Sequence, residues 1–162
     1  MNQQSRVWVF QINRKLNPQE ETIILAKLQD FTKNWAAHQV PLAADAFIKY
    51  HQFIVLTVDE TKTKASGCSI DSATHAMQAL EKEFQIELFN RQLFTYKNNL
   101  EVITLNAKEF QSAIDQGIIN SDTIVFNNLV QTVFDFENKW EIAIKDSWHI
   151  NLFNLNTEKI EN

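Results

Sequence analysis

Apolar and polar positions change period several times along the chain, and each change marks an element. From Val7 to Asn13 the side chains alternate. Val7, Val9 and Gln11 point one way and Trp8, Phe10 and Ile12 the other, which predicts a first strand. Asn17-Pro18-Gln19-Glu20 then carries the marks of a helix start. An asparagine caps, a proline occupies the first turn where its missing N–H costs nothing, and a glutamate sits three residues after the cap. Ile24, Leu28, Phe31 and Trp35 draw one apolar stripe. The helix should end before Val40-Pro41, because the residue before a proline resists the α conformation. Phe47 to Val58 predicts two strands with a break near His51-Gln52. Phe53-Ile54-Val55-Leu56-Thr57-Val58 is nearly continuously apolar, as expected of a central strand covered on both faces.

Asp59 to Ser69 is polar and predicts a loop. A second helix should begin near Ser69 to Asp71 and bury Ala73, Met77, Leu80 and Phe84, at the spacing of the first. Leu88 to Lys97 and Leu100 to Leu105 predict a hairpin closing on Asn98-Asn99, a pair suited to a type I′ turn. Asn106-Ala107-Lys108-Glu109 is a capping-box start for a short helix that Gly117 would end, and Thr123 to Phe126 predicts a strand. Between Leu129 and His149 the periods conflict. Val130, Val133, Phe134 and Glu137 fit a helix, whereas Trp140, Ile142 and Ile144 alternate.

This order predicts a single α+β domain over 1–162. Residues 7–105 would form a ferredoxin-like (βαββαβ) core, an antiparallel sheet with two helices on one face. Residues 106–150 would extend it with a C-terminal segment of hairpin, short helix and strand, and 151–162 would fray. The competing architecture is a mixed sheet to which the later strands are integral. A ferredoxin-like sheet leaves one face open, and the chain has 4 Trp, 12 Phe and 2 Tyr to bury. The surplus calls for a ligand pocket, a cover from the C-terminal segment, or a homodimer contact through the sheet.

Composition narrows the function classes. The chain has 162 residues, 44% hydrophobic and 22% charged, which supports a substantial core and argues against disorder. A net charge of −5 makes nucleic acid an unsuitable partner. Strands bearing Trp8 and Phe10, or Tyr50 and Phe53, faintly resemble RNA-stacking sheets but lack their glycine. With only Gly67 and Gly117, neither a Walker A loop nor the three-glycine dinucleotide fingerprint can be written. Cys68 is the sole cysteine, so no intrachain disulfide forms. No stretch is apolar and long enough for a signal-peptide core or a membrane span, and the expected location is cytoplasmic with no membrane partner. Asn and Gln number 16 and 13 without a homopolymeric tract. Asn98-Asn99 and Asn127-Asn128 are the candidates to take the left-handed conformations that scarce glycine does not supply.

Chemistry concentrates in Ser66-Gly67-Cys68-Ser69-Ile70-Asp71, where a loop meets a helix start. Backbone N–H groups there favour negative charge, so Ser66, Gly67 and Ser69 could bind a phosphate or carboxylate. The same environment suits a thiolate, with Cys68 as nucleophile, His75 as base and Asp71, four residues before it, as orienting group. The plainer alternative is an inert cysteine beside a capping serine. None of His38, His51, His75 and His149 has a second ligand at metal spacing, so no metal site is expected. Asp146 and His149 lie three apart beside Trp148, in a stretch that reads as a solvated tail or as the setting of a packed Trp148. No cofactor is implied. Two functions follow: a module that binds a small ligand or protein partner near Gly67–Asp71, and a Cys68-dependent enzyme.

Four stretches, Val7 to Arg14, Ser66 to Asp71, Thr123 to Val130 and Lys145 to His149, resemble a family of short uncharacterised bacterial proteins often labelled "ABC transporter ATPase". The resemblance runs over nearly the whole chain. It implies no catalytic residues, and the chain has no Walker A loop to accompany the label.

Overall fold

The computed structural model describes residues 1–155 and is a mixed α+β structure with antiparallel sheets. Its described residues group into two compact units, one of residues 1–89 and 128–136, the other of 90–127 and 137 onward.

The first unit is built on a three-stranded antiparallel sheet in the order β1 (Arg6–Gln11), β5 (Phe53–Asp59), β4 (Ala43–Lys49). Register places Trp8 beside Leu56 and Ala46, and Phe10 beside Ile54 and Ile48, so these side chains share one face. That face packs on the stripes of α1 (Pro18–Asn34) and α2 (Gly67–Phe84), burying Ile24, Leu28, Ala73, Met77 and Leu80. β5 is the middle strand and its first six residues are buried, as its unbroken apolar run requires. The opposite face was expected to need a ligand, a homodimer partner or a cover from the C-terminal segment. The cover is what the structure shows, with Val7 and Val55 buried there against Val133 and Phe136 of α4 (Val133–Lys139). Hydrogen bonds from Val7 N to Gln131 O and from Val133 N to Ser5 O, each 2.9 Å, fasten that segment to β1. The chain thus covers much of the apolar face that suggested a homodimer contact.

The expected βαββαβ core is present only as βαββα. Its sixth element belongs to a different sheet. β6 (Leu93–Asn98) pairs along its length with β7 (Glu101–Asn106), from Leu93↔Asn106 to Asn98↔Glu101. A two-residue connection makes that local pairing far less costly in loop entropy than a return to β1. The hairpin also has its own cover, because Phe94 and Tyr96 pack on Phe110, Ala113 and Ile114 of α3 (Ala107–Asp115).

The second unit completes a four-stranded sheet, β7-β6-β8-β9, with β8 (Ile124–Phe126) and β9 (Glu141–Ala143). The segment with conflicting periods therefore divides into a helix and then a short strand. Two 3₁₀ turns, Ile144–Asp146 and Trp148–Asn151, lead to Phe153, which is buried. The frayed tail expected from 151 does not begin there; residues 156–162 lie outside the described residues.

Turn chemistry departs from the expectation in an informative way. Left-handed φ values occur at His38 and Gln39 between β2 (Ala36–Ala37) and β3 (Val40–Pro41), and at Tyr50 and His51 between β4 and β5. Two adjacent positive φ angles give the primed turn whose twist matches a hairpin. Asn99 has φ 60°, but the β6–β7 turn is centred on Asn99-Leu100, one residue later than expected, and Asn127-Asn128 has no positive φ. His51 is held by Glu21, with Nδ1 2.7 Å from Oε2, and the Lys49 ammonium lies 5.6 Å from the Tyr50 ring centroid. These contacts help offset the backbone cost of about 1–2 kcal/mol per left-handed residue.

Arg14 ties the start of α1 to the end of α2. Its guanidinium donates two bonds to the Glu20 carboxylate, at 2.9 and 2.8 Å, and a third to Phe84 O at the end of α2. Glu20 Oε1 also accepts the Asn17 N–H, closing the capping box of α1. The Arg14 bonds, and then the Asn17 N–H, hold the Glu20 carboxyl down at about 2.

Candidate functional site

The start of α2 lies slightly upstream of its expected position. Ser66 is the cap and Gly67 the first helical residue. Ser66 Oγ accepts from Ser69 N at 3.1 Å, and Ser69 Oγ accepts from Ser66 N at 2.6 Å and donates to Ser66 O at 2.8 Å. This is a capping box with serine replacing glutamate, a signal easily passed over because the usual pattern names Glu or Gln. Ser69 is buried, and its carbonyl accepts the Trp35 indole N–H at 2.8 Å, tying the first turn of α2 to the end of α1. Gly67 is not required by its backbone or its surroundings. It has no left-handed φ, and a Cβ there would meet nothing within 4 Å.

Cys68, Asp71 and His75 are all exposed. Cys68 and His75 are seven residues apart on one helix, which separates them by about 10 Å along the axis. Neither Asp71 and His75 nor Cys68 and His75 are joined by a hydrogen bond. Ser66 and Ser69 are brought together; the three residues proposed for catalysis are not. Among the described residues no group of three or more His, Cys, Asp or Glu is placed to hold a metal, and no helix is long and apolar enough to cross a membrane.

His149 lies where a solvated tail or a packed Trp148 is the expectation. It is 2% exposed, stacked on Trp148 at 3.9 Å between ring centroids and lying near Phe94, Phe110 and Phe153. Its Nδ1 is 2.7 Å from Ser147 Oγ. Burial lowers its pKa from 6.5 to about 4, so the ring is neutral at pH 7. Ser147 is buried as well, which denies substrate access to this serine–histidine pair.

Two concavities differ in what they offer a ligand. In the first unit, a groove of about 240 Å³ between α1 and α2 has Leu28, Phe31 and Leu80 among its lining. Its two charged residues, Lys27 and Glu83, satisfy each other at 3.3 Å. In the second unit, a cleft of about 460 Å³ lies beside α3 and the β6–β7 hairpin. Its apolar lining comes from Leu105, Ala113, Ile118 and the ring of Tyr96. Tyr96 is 5% exposed, packs edge-on against Phe110 and makes no hydrogen bond among the described residues. Among the described residues the wholly buried side-chain oxygens without a partner are Ser5 Oγ and Thr57 Oγ1. The Tyr96 hydroxyl is not one of them, so part of its small exposure lies at Oη.

Polar residues of α3 line the rest of the cleft. Lys108 forms no ion pair among the described residues. Ser112 Oγ accepts from Gln116 Nε2 at 2.8 Å, leaving its own proton unassigned. Glu109 is committed to the helix cap, with Oε1 accepting Asn106 N–H at 3.0 Å. Sequence reasoning missed this cleft. Its one available signal is Tyr96 alternating with Phe94 on a strand followed by the apolar stripe of a short helix, a pattern that marks a core face and gives no hint of an unpaired hydroxyl.

No family model, curated protein or solved structure matches this chain.

Proposed function

We propose that this chain is a small-ligand-binding module whose seat is the cleft beside α3. The observation that supports this reading is a largely buried phenol, unpaired among the described residues, in a concavity of a size suited to small molecules, roughly 300–1,000 Å³. The hydroxyl reaches solvent while its ring stays packed, so a ligand acceptor would take the place of water at a fixed donor. A fragment screen by two-dimensional NMR tests the reading. Hits are expected to shift the amides of Leu105, Ser112, Gln116 and Ile118 as a group. A library of several hundred fragments that leaves all four unmoved overturns it.

The start of α2 is a weaker seat for an anion. Ser66 already supplies acceptors to Ser69 N and Ile70 N, leaving the N–H groups of Gly67 and Cys68 at an exposed turn. The thiol-enzyme alternative needs a base within reach of Cys68 Sγ, and His75 sits two helical turns away. His75→Ala is accordingly expected to change the alkylation rate of Cys68 by iodoacetamide less than twofold at pH 7. A tenfold fall would restore the enzyme reading.

A further inference from the structure

We infer that the ligand of the cleft beside α3 is a small amphiphilic monocarboxylate, an inference that rests on that cleft being a ligand seat. Three donors at the cleft lack an acceptor among the described residues: Tyr96 Oη–H, the Lys108 ammonium and the Ser112 hydroxyl proton. The acceptors of the lining are fewer: Glu109 has one oxygen turned to the Asn106 N–H of the helix cap, and Gln116, whose Nε2 donates to Ser112 Oγ, offers its amide carbonyl. An excess of donors selects a ligand head that accepts hydrogen bonds, and a free ammonium favours one that carries negative charge. The first turn of α3 contributes in the same sense, because Lys108 lies where the helix dipole favours an anion.

The charge of the head is bounded from above. Among the described residues Lys108 is the one basic residue of the lining and Glu109 is its neighbour, so a phosphate dianion would meet too little positive charge. The body of the ligand is set by Leu105, Ala113, Ile118 and the Tyr96 ring, which offer apolar contact, while Lys108, Glu109, Ser112 and Gln116 bring the polar groups from α3 and its end. A carboxylate with a short hydrocarbon body satisfies both halves. Tyr96 Oη is the specificity-determining contact. It is fixed by packing on Phe110, whereas the Lys108 side chain is exposed and its charge is screened by solvent.

Isothermal titration calorimetry on the full chain, with octanoate and 1-octanol as probes, tests the inference. Octanoate is expected to bind about tenfold more tightly than 1-octanol, the difference of one charge-assisted hydrogen bond. Tyr96→Phe should weaken octanoate roughly tenfold while leaving 1-octanol within about twofold, and Lys108→Gln should weaken octanoate about two- to threefold. Tyr96→Phe removes a hydroxyl that lacks a partner, so the ligand-free Tm should be unchanged or higher, which separates loss of a contact from loss of fold. Equal affinity for the two probes, or unchanged octanoate binding by Tyr96→Phe, overturns the carboxylate assignment and leaves the ligand seat standing. Fragment hits at the cleft with no binding of either probe have the same consequence. Silence from both probes and from the fragment screen overturns the seat itself.

Discussion

Phe110→Ala is expected to destabilise the second unit by about 3–5 kcal/mol, the range for deleting a fully buried aromatic ring. Phe110 has no solvent exposure and stands among rings on three sides. Phe153 lies at 4.6 Å between centroids, Phe94 at 5.9 Å and Tyr96 at 6.1 Å, with the His149 imidazole roughly parallel to it at 6.4 Å. These neighbours come from β6 and from the 3₁₀ turn and tail, elements that cannot collapse together to fill the space without moving the sheet. The cavity term should therefore add fully to the transfer term. Phe110→Leu keeps most of the volume and should cost far less, about 1–1.5 kcal/mol. Urea unfolding of both variants gives the energies, and hydrogen exchange over residues 90–127 shows whether the loss is confined to this unit. Equal costs for Ala and Leu would mean that filling this space is not what Phe110 contributes. The same experiment bears on the cleft, because Phe110 supports the Tyr96 ring from behind. Phe110→Leu should weaken ligand binding even where the unit stays folded.

Much of this architecture is legible in the chain because it depends on neighbours in sequence. The capping boxes at Asn17–Glu20 and Asn106–Glu109 are present with both reciprocal bonds. The stripes through Ile24 and Leu28 and through Ala73, Met77 and Leu80 are buried where their spacing places them. Legibility fails where the deciding partner is distant. Nothing local to Leu93–Asn98 says that it will pair with β7 and β8 and leave the first sheet at three strands. That outcome depends on α3 covering the hairpin. The left-handed residues His38, Gln39, Tyr50 and His51 are likewise imposed by the registers of their hairpins, which override the preference of the available asparagines for such positions. The candidate site divides in the same way. The cap at Ser66 and Ser69 is local, yet the helix start was expected at Ser69 to Asp71, because serine stands where the usual box carries glutamate. Whether Cys68 has a base within reach, and whether Tyr96 Oη has a partner, are questions about space around a side chain, which residue spacing does not encode.

Acidification should weaken the second unit well before most carboxylates titrate, and His149 is the cause. Its folded-state pKa is about 4 against 6.5 when unfolded, because burial among aromatic rings penalises the imidazolium. A base with a depressed folded pKa binds its proton more readily in the unfolded chain. Its contribution to stability is therefore complete above pH 6.5, falls as pH drops through the window between the two values, and is fully lost below about pH 4. The span corresponds to ~3 kcal/mol, an order-of-magnitude figure. Ser147 does not change the sign. Its hydroxyl donates to neutral Nδ1 or accepts from a protonated one, so it pairs with either form and leaves desolvation to decide. Glu20 also loses stabilisation on acidification, but only as pH falls below the 4.5 of its unfolded carboxyl toward 2, and in the other unit. The two contributions are thus separable by pH and by location. Urea unfolding at intervals from pH 7 to 4, for the native chain and for His149→Gln, gives the measurement. The glutamine variant starts less stable at pH 7 but should lose about 3 kcal/mol less on acidification, so the two stability curves converge toward pH 4. Parallel curves across that window would show that His149 takes up its proton as easily in the fold as out of it, and the account of a neutral imidazole locked in the aromatic core would be wrong.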